Sequence, residues 1–102
     1  MPRPQAVPTV QEDNDFTRVI EWRFAPDAET GWHTHGFNYV VVPMLDGELQ
    51  IEMKDSDDLF ADLSHGISYA REAGVHHNVI NASGHEFYFV EVEFKDRPMA
   101  KD

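Results

Sequence analysis

The sequence contains no cysteine. That removes disulfides, thiolate nucleophiles and every cysteine-based zinc or iron–sulfur site, so any metal must rest on histidine, aspartate or glutamate. Basic residues are scarce, eight against nineteen acidic ones, for a formal net charge of -11. A nucleic-acid or anionic-membrane surface needs clustered Lys and Arg, and neither partner is expected here. No window approaches the ~20 apolar residues of a membrane span, and Met1 to Asn14 is proline-rich and polar without the apolar stretch of a signal peptide. A soluble, cytoplasmic protein is the expectation. In that setting the sequon Asn81-Ala82-Ser83 carries no weight for glycosylation.

What is present is enough for one packed domain: 102 residues, 41% hydrophobic and 12% aromatic. Met1 to Asp15, with Pro2, Pro4 and Pro8, reads as an extended arm, mobile or laid across a neighbouring subunit. Residues 16–96 read as the folded domain and 97–102 as a polar tail. From Phe16 the chain alternates with the period of two that marks a half-buried strand, and Pro26 closes it. Trp32 to Pro43 reads as a further strand, its Tyr39-Val40-Val41-Val42 run suited to burial on both faces. Asp46-Gly47 is a turn signal, Leu49, Ile51 and Met53 define one apolar face, and Asp55 to Asp58 reads as a solvated loop. Leu59 to Ala70 is read as short strands, and His77 to Ile80 and Glu86 to Phe94 complete the series. Several short strands with no amphipathic helix between them imply an all-β sandwich or small barrel.

Six histidines are the main chemical resource. In a strand, His33-Thr34-His35 places two imidazoles on one face, roughly 6.5 Å apart along the chain, close enough to reach one ion. Two solvent-facing histidines would give the same triplet. The reading sharpens when glycines are added. Gly66, Gly74, His77 and Asn81 stand in the register glycine, five residues, proline, one residue, glycine, two residues, histidine, three residues, asparagine, with Glu72 in place of the proline. His33, His35 and Gly47 fit the register glycine, five residues, HxH, three or four residues, glutamate, six residues, glycine, with the leading glycine displaced to Gly31. The glutamate is absent, and Tyr39 or Val40 stands there.

These two patterns resemble the motifs of the cupin superfamily, whose fold is a double-stranded β-helix, or jelly-roll barrel. The segment Trp22 to Pro26, with Gly31-Trp32-His33 and Tyr39 to Pro43, is similar to the small bacterial cupins known as beta-alanine degradation proteins. The resemblance implies His33, His35 and His77 as metal ligands, with the glutamate ligand missing. It implies a divalent transition metal, Fe(II) first, with zinc, nickel, copper or manganese as alternatives. Three neutral ligands on one face leave positions for water, dioxygen or a chelating substrate.

Tyr39, at i+4 from His35, shares its strand parity and is the candidate catalytic residue; it could ligate, hydrogen-bond a substrate or pack. His76 has the opposite parity and reads as a surface group or a support to the site. His65 and His85 lie in turns, and Asn81 reads as holding backbone. Trp22, Phe24, Phe87 and Phe89 read as core. The expected function is a metal-dependent enzyme, dioxygenase-like, acting on a small metabolite. A lyase or isomerase and a non-catalytic small-ligand sensor are the alternatives. Homodimerisation through strands such as Phe16 to Phe24 is also expected.

Overall fold

The computed structural model describes residues 2–95. Nine strands form in this range: β1 (Val7–Asp13), β2 (Thr17–Phe24), β3 (His33–Thr34), β4 (Asn38–Pro43), β5 (Gly47–Met53), β6 (Ser56–Leu63), β7 (Tyr69–Arg71), β8 (His76–Asn81) and β9 (Phe87–Phe94). They make two sheets, ordered β1-β2-β9-β4-β7 and β3-β8-β5-β6, and every strand-to-strand ladder is antiparallel. This is the all-β jelly roll anticipated from the glycine and histidine pattern. No helix among the described residues is long and apolar enough to cross a membrane.

Alternation decides what faces the core. In β9, Phe87, Phe89, Glu91 and Glu93 are buried while Tyr88, Val90 and Val92 are only half-buried. In β4 the buried set is Tyr39, Val41 and Pro43, with Val40 and Val42 half-buried on the other side. Phe24, Phe87, Leu49, Val79 and Phe89 then fill the space between the sheets. Gly47 starts β5 against this core: a Cβ there would stand 2.5 Å from the Phe87 ring and 2.6 Å from the Ser83 hydroxyl. The glycine that closes the first motif is therefore required by packing, and its φ is not in the left-handed region.

Several segments differ from expectation. Val7–Asp13, anticipated as part of an extended arm, mobile or laid across a neighbouring subunit, instead pairs antiparallel with β2 of its own chain, and Ala6 just before it is buried, its N–H donating to the Glu29 carbonyl. Pro8 is tolerated because β1 is an edge strand, where a missing N–H can face away from the ladder. Trp32 to Pro43 is not one strand. It breaks after Thr34, and β3 and β4 belong to different sheets. Between them the His35 N–H donates to the Val75 carbonyl and the Gly74 N–H donates to the His35 carbonyl, so this bend is tied to the loop before β8.

Asp55 to Asp58 is likewise not a loop: the turn is Lys54-Asp55 alone, and Ser56 to Asp58 begin β6. An exposed edge strand accepts such charges readily, and Gln50 donates to Asp58 across the hairpin. The polar tail at 97–102, with residue 96 before it, lies outside the described residues.

Candidate metal centre

β3 and β8 pair with His33 directly opposite His77. His35 follows one residue past the end of β3, and the bend tied to Val75 and Gly74 turns its ring towards the other two. The Nε2 atoms of His33 and His35 are 3.1 Å apart, and those of His35 and His77 are also 3.1 Å apart. Ligands at 2.0–2.1 Å from one ion would be about 3.0 Å apart at right angles and about 3.4 Å apart in a tetrahedron, so the spacing suits a facial octahedral set. The expected triplet geometry was nevertheless wrong in one respect: the pair is not carried on one continuous strand face.

Supports surround these rings. The His33 Nδ1–H donates to the Gly31 carbonyl at 2.8 Å, which leaves the Nε2 lone pair pointing inward. Gly31 is held in turn, its N–H donating to Asn78 Oδ1 at 2.9 Å, while the Asn78 amide donates to Glu29 and Glu52. Asn78 is buried beside His77 in β8, and sequence reasoning passed over it. His35 and His77 are both buried, and burial, reinforced by the neighbouring imidazoles, pushes their pKa values down to about 4 and about 3. They are neutral at pH 7, as ligation requires.

Tyr39 lies on β4 with its ring stacked on His35, and burial, the Glu91 charge and Tyr69 hold its hydroxyl protonated well above the usual range. His76 is exposed, bonded to Thr34 and stacked on Trp32. His65 and His85 are exposed in turns. Asn81 is fully buried, and its amide donates to the carbonyls of Ala25 and His85 while its oxygen accepts from the Ser83 N–H. Trp22 is half-buried and stacks at 6.5 Å from His33, reaching the site more closely than a plain core residue would.

The residue that sequence reasoning missed is Glu91. Its Oε1 lies 3.9 Å from His35 Nε2, and because His35 is neutral the contact is not an ion pair. Burial, and then the Glu93 charge, push the Glu91 carboxyl up to about 7, against the opposing pull of Arg18 and the Trp22 indole. Glu93 itself accepts from the Arg18 Nε–H at 2.6 Å. The signal was available: Glu91 and Glu93 continue the inward parity of Phe87 and Phe89, and a carboxylate at a core position is informative. Glu91 does not group with all three histidines, which form one cluster of metal-binding spacing while His35, Glu91 and Glu93 form another.

The first motif also resolves differently at its start. The position separated by five residues from His33-Thr34-His35 is Asp27, which adopts φ 65°, the left-handed conformation that glycine takes most easily. The histidines open onto a cavity of about 410 Å³ with apolar walls including Val41, Leu49, Ile51 and Phe89.

No protein-family model matches the chain. It is 61% identical over 93 residues to the beta-alanine degradation protein BauB of Pseudomonas aeruginosa, covering 91% of this chain and 97% of that one. The crystal structure of a cupin domain from Bordetella pertussis superposes with a TM-score of 0.90 at 53% identity, covering 94% and 99% of the two chains. A cupin superfamily protein from Desulfitobacterium hafniense, 17% identical, shares the fold with a TM-score of 0.70 over 94% of this chain and 83% of its own. With the fold, the histidine cluster and these relatives in agreement, the chain belongs to the cupins, in the small single-domain family that includes the beta-alanine degradation protein.

Proposed function

We propose that this cupin is a mononuclear metal enzyme, dioxygenase-like, acting on a small metabolite in the cytoplasm as a homodimer. The observation that carries the reading is the convergence of three imidazole Nε2 atoms, two of the spacings being 3.1 Å, in the wall of a largely apolar cavity. Bound Fe(II) would supply redox chemistry with dioxygen at positions the three histidines leave open, and zinc, nickel, copper or manganese would suit the same donors.

The chain's own groups have separable tasks. His33, His35 and His77 would hold the ion, and the Gly31 carbonyl fixes the His33 tautomer. Tyr39, stacked on His35, keeps its phenolic proton and offers an O–H to a substrate in the cavity that both residues line. The apolar walls exclude water from the reacting end. Glu91, a carboxyl facing the same cavity, favours a second reading, lyase or isomerase chemistry with proton transfer at a carbon next to a carbonyl. The relative's name concerns degradation of beta-alanine, a short amino acid, which accords with a small substrate.

Elemental analysis of protein purified without chelators, joined to an oxygen electrode and a panel of small carbonyl, thiol and carboxylate compounds, tests the proposal. One metal per chain with substrate-dependent oxygen uptake is the expected result. Metal-dependent turnover without oxygen uptake selects the lyase or isomerase, and binding without turnover selects a sensor. A chain that takes up no divalent metal overturns the proposal.

A further inference from the structure

Among the described residues four of the six lysine and arginine side chains of this acidic chain pair with carboxylates. Arg3 pairs with Glu29 and Glu52, Arg18 with Glu93, Arg23 with Glu21 and Glu86, and Lys95 with Asp13. Lys54 sits on the exposed β5–β6 turn. Arg71 is different: it lines the histidine cavity and has no carboxylate partner among the described residues. Its guanidinium donates to the Ala70 carbonyl at 2.8 Å and lies 4.6 Å over the Tyr69 ring, which leaves most of its five donors uncommitted. An arginine left without a carboxylate amid an excess of acid is a recognition group in waiting, since its planar fork matches a carboxylate with two parallel bonds.

Its place in the fold gives the direction of binding. Arg71 is the cross-strand partner of Tyr39 in the β4–β7 ladder, so the two side chains share the inward face, and Tyr39 in turn covers His35. Arg71 is exposed, at the cavity mouth, whereas His35 and His77 are buried within. Glu91, buried in the same lining, opposes an anion beside the histidines. Between mouth and histidines the wall is Val41, Leu49, Ile51 and Phe89.

We infer that the substrate is a short-chain carboxylic acid, its carboxylate held by Arg71 at the mouth and its apolar body and reacting end directed at the three histidines. The inference rests on the metal-enzyme reading above and adds the substrate class and a specificity residue.

Butyrate and butyramide, alike in shape and different in charge, provide the test. Each is titrated into zinc-loaded protein and followed by NMR chemical shifts, with zinc content measured on the same samples. Butyrate should bind the wild type at least tenfold more tightly than butyramide. Arg71→Gln should abolish that preference with zinc content unchanged, and Arg71→Lys should keep part of it. Equal binding of the two compounds by the wild type overturns the inference, and so does a preference that survives in Arg71→Gln, which would place the carboxylate on the metal. A protein that fails to load zinc yet shows the Arg71-dependent preference supports the carboxylate site and counts against the metal-enzyme reading instead.

Discussion

The phenol ring of Tyr39 lies face to face on the imidazole of His35, with centroids 3.8 Å apart and planes inclined by 19°. The lone pair of His35 Nε2 lies in the imidazole plane, and the stacked phenol occupies a layer above it. Tyr39 therefore covers a ligand ring and is not oriented to be a ligand itself. We expect Tyr39→Phe to keep the stack, the fold and the full metal content, as elemental analysis will check, while kcat/KM falls by roughly 10- to 100-fold through loss of the hydroxyl. Loss of metal in this variant would make Tyr39 a ligand, and unchanged metal and turnover would leave it a packing residue.

Replacing His33, His35 or His77 by alanine should remove most of the bound metal, because two imidazoles leave the ion largely to water. The substitutions enlarge an existing cavity and remove imidazoles whose Nε2 atoms bond only one another, and should not unfold the barrel, which far-UV circular dichroism will show. His65→Ala and His85→Ala should retain full metal content, both side chains being exposed in turns away from the cluster.

Glu91 makes metal-free stability depend on pH in a calculable direction. Its carboxyl has an ordinary value of 4.5 and sits at about 7 in the fold, so between these values the native state holds a proton that the unfolded chain releases. The stability this contributes is complete below about pH 4.5 and is lost as pH rises through about 7. His35 and His77 act oppositely: their contributions are complete above 6.5 and are lost as pH falls through about 4 and about 3. Glu91→Gln leaves the histidine contribution in place. Urea titrations at pH 5 and pH 8 should show the variant gaining on the wild type by about 2 kcal/mol over that interval, because each pH unit of displacement carries about 1.4 kcal/mol and water penetration relieves part of it.

Two backbone positions of the first motif should respond in opposite directions. Asp27→Gly relieves a left-handed residue at φ 65° and should raise stability by about 0.5 kcal/mol, set by the steric cost of the left-handed region less the flexibility glycine adds to the unfolded chain. Gly47→Ala drives a methyl into the buried Phe87 ring and should cost about 1–3 kcal/mol. Thermal melts of both variants decide this.

The proposed homodimer is checked by light scattering behind gel filtration, where a mass of twice 11.7 kDa is expected. Val7, Val10, Phe16 and Phe94 are exposed apolar side chains on or beside the β1-β2-β9 part of the sheet, and burying them against a second copy would remove them from water. A monomeric mass at micromolar concentration would refute it.

Period-two alternation made most strands legible in the residues themselves, from Thr17 to Phe24 and from Phe87 to Phe94, because a pleated strand sends successive side chains to opposite faces whatever it pairs with. The turn glycines were legible for a similar local reason: Gly66, Gly74 and Gly84 all take positive φ, which other residues enter at a cost. Motif spacing added His77 to the histidine pair. Alternation failed where it was extended from His33 through His35 to Tyr39, since the bend at His35 depends on bonds to Val75 and Gly74, forty residues away in register and invisible to a local pattern.

The same limit hid Asn78 and Arg71. Each looks like an ordinary polar residue in a short strand, and its role arises only when β8 and β7 are laid beside β3 and β4. The inward parity of Glu91 is legible along β9, but its meeting with His35 is not. Sequence determined which side chains could face inward; ladder register and the closure of two sheets decided which of them meet, because those contacts join residues with no local relation along the chain.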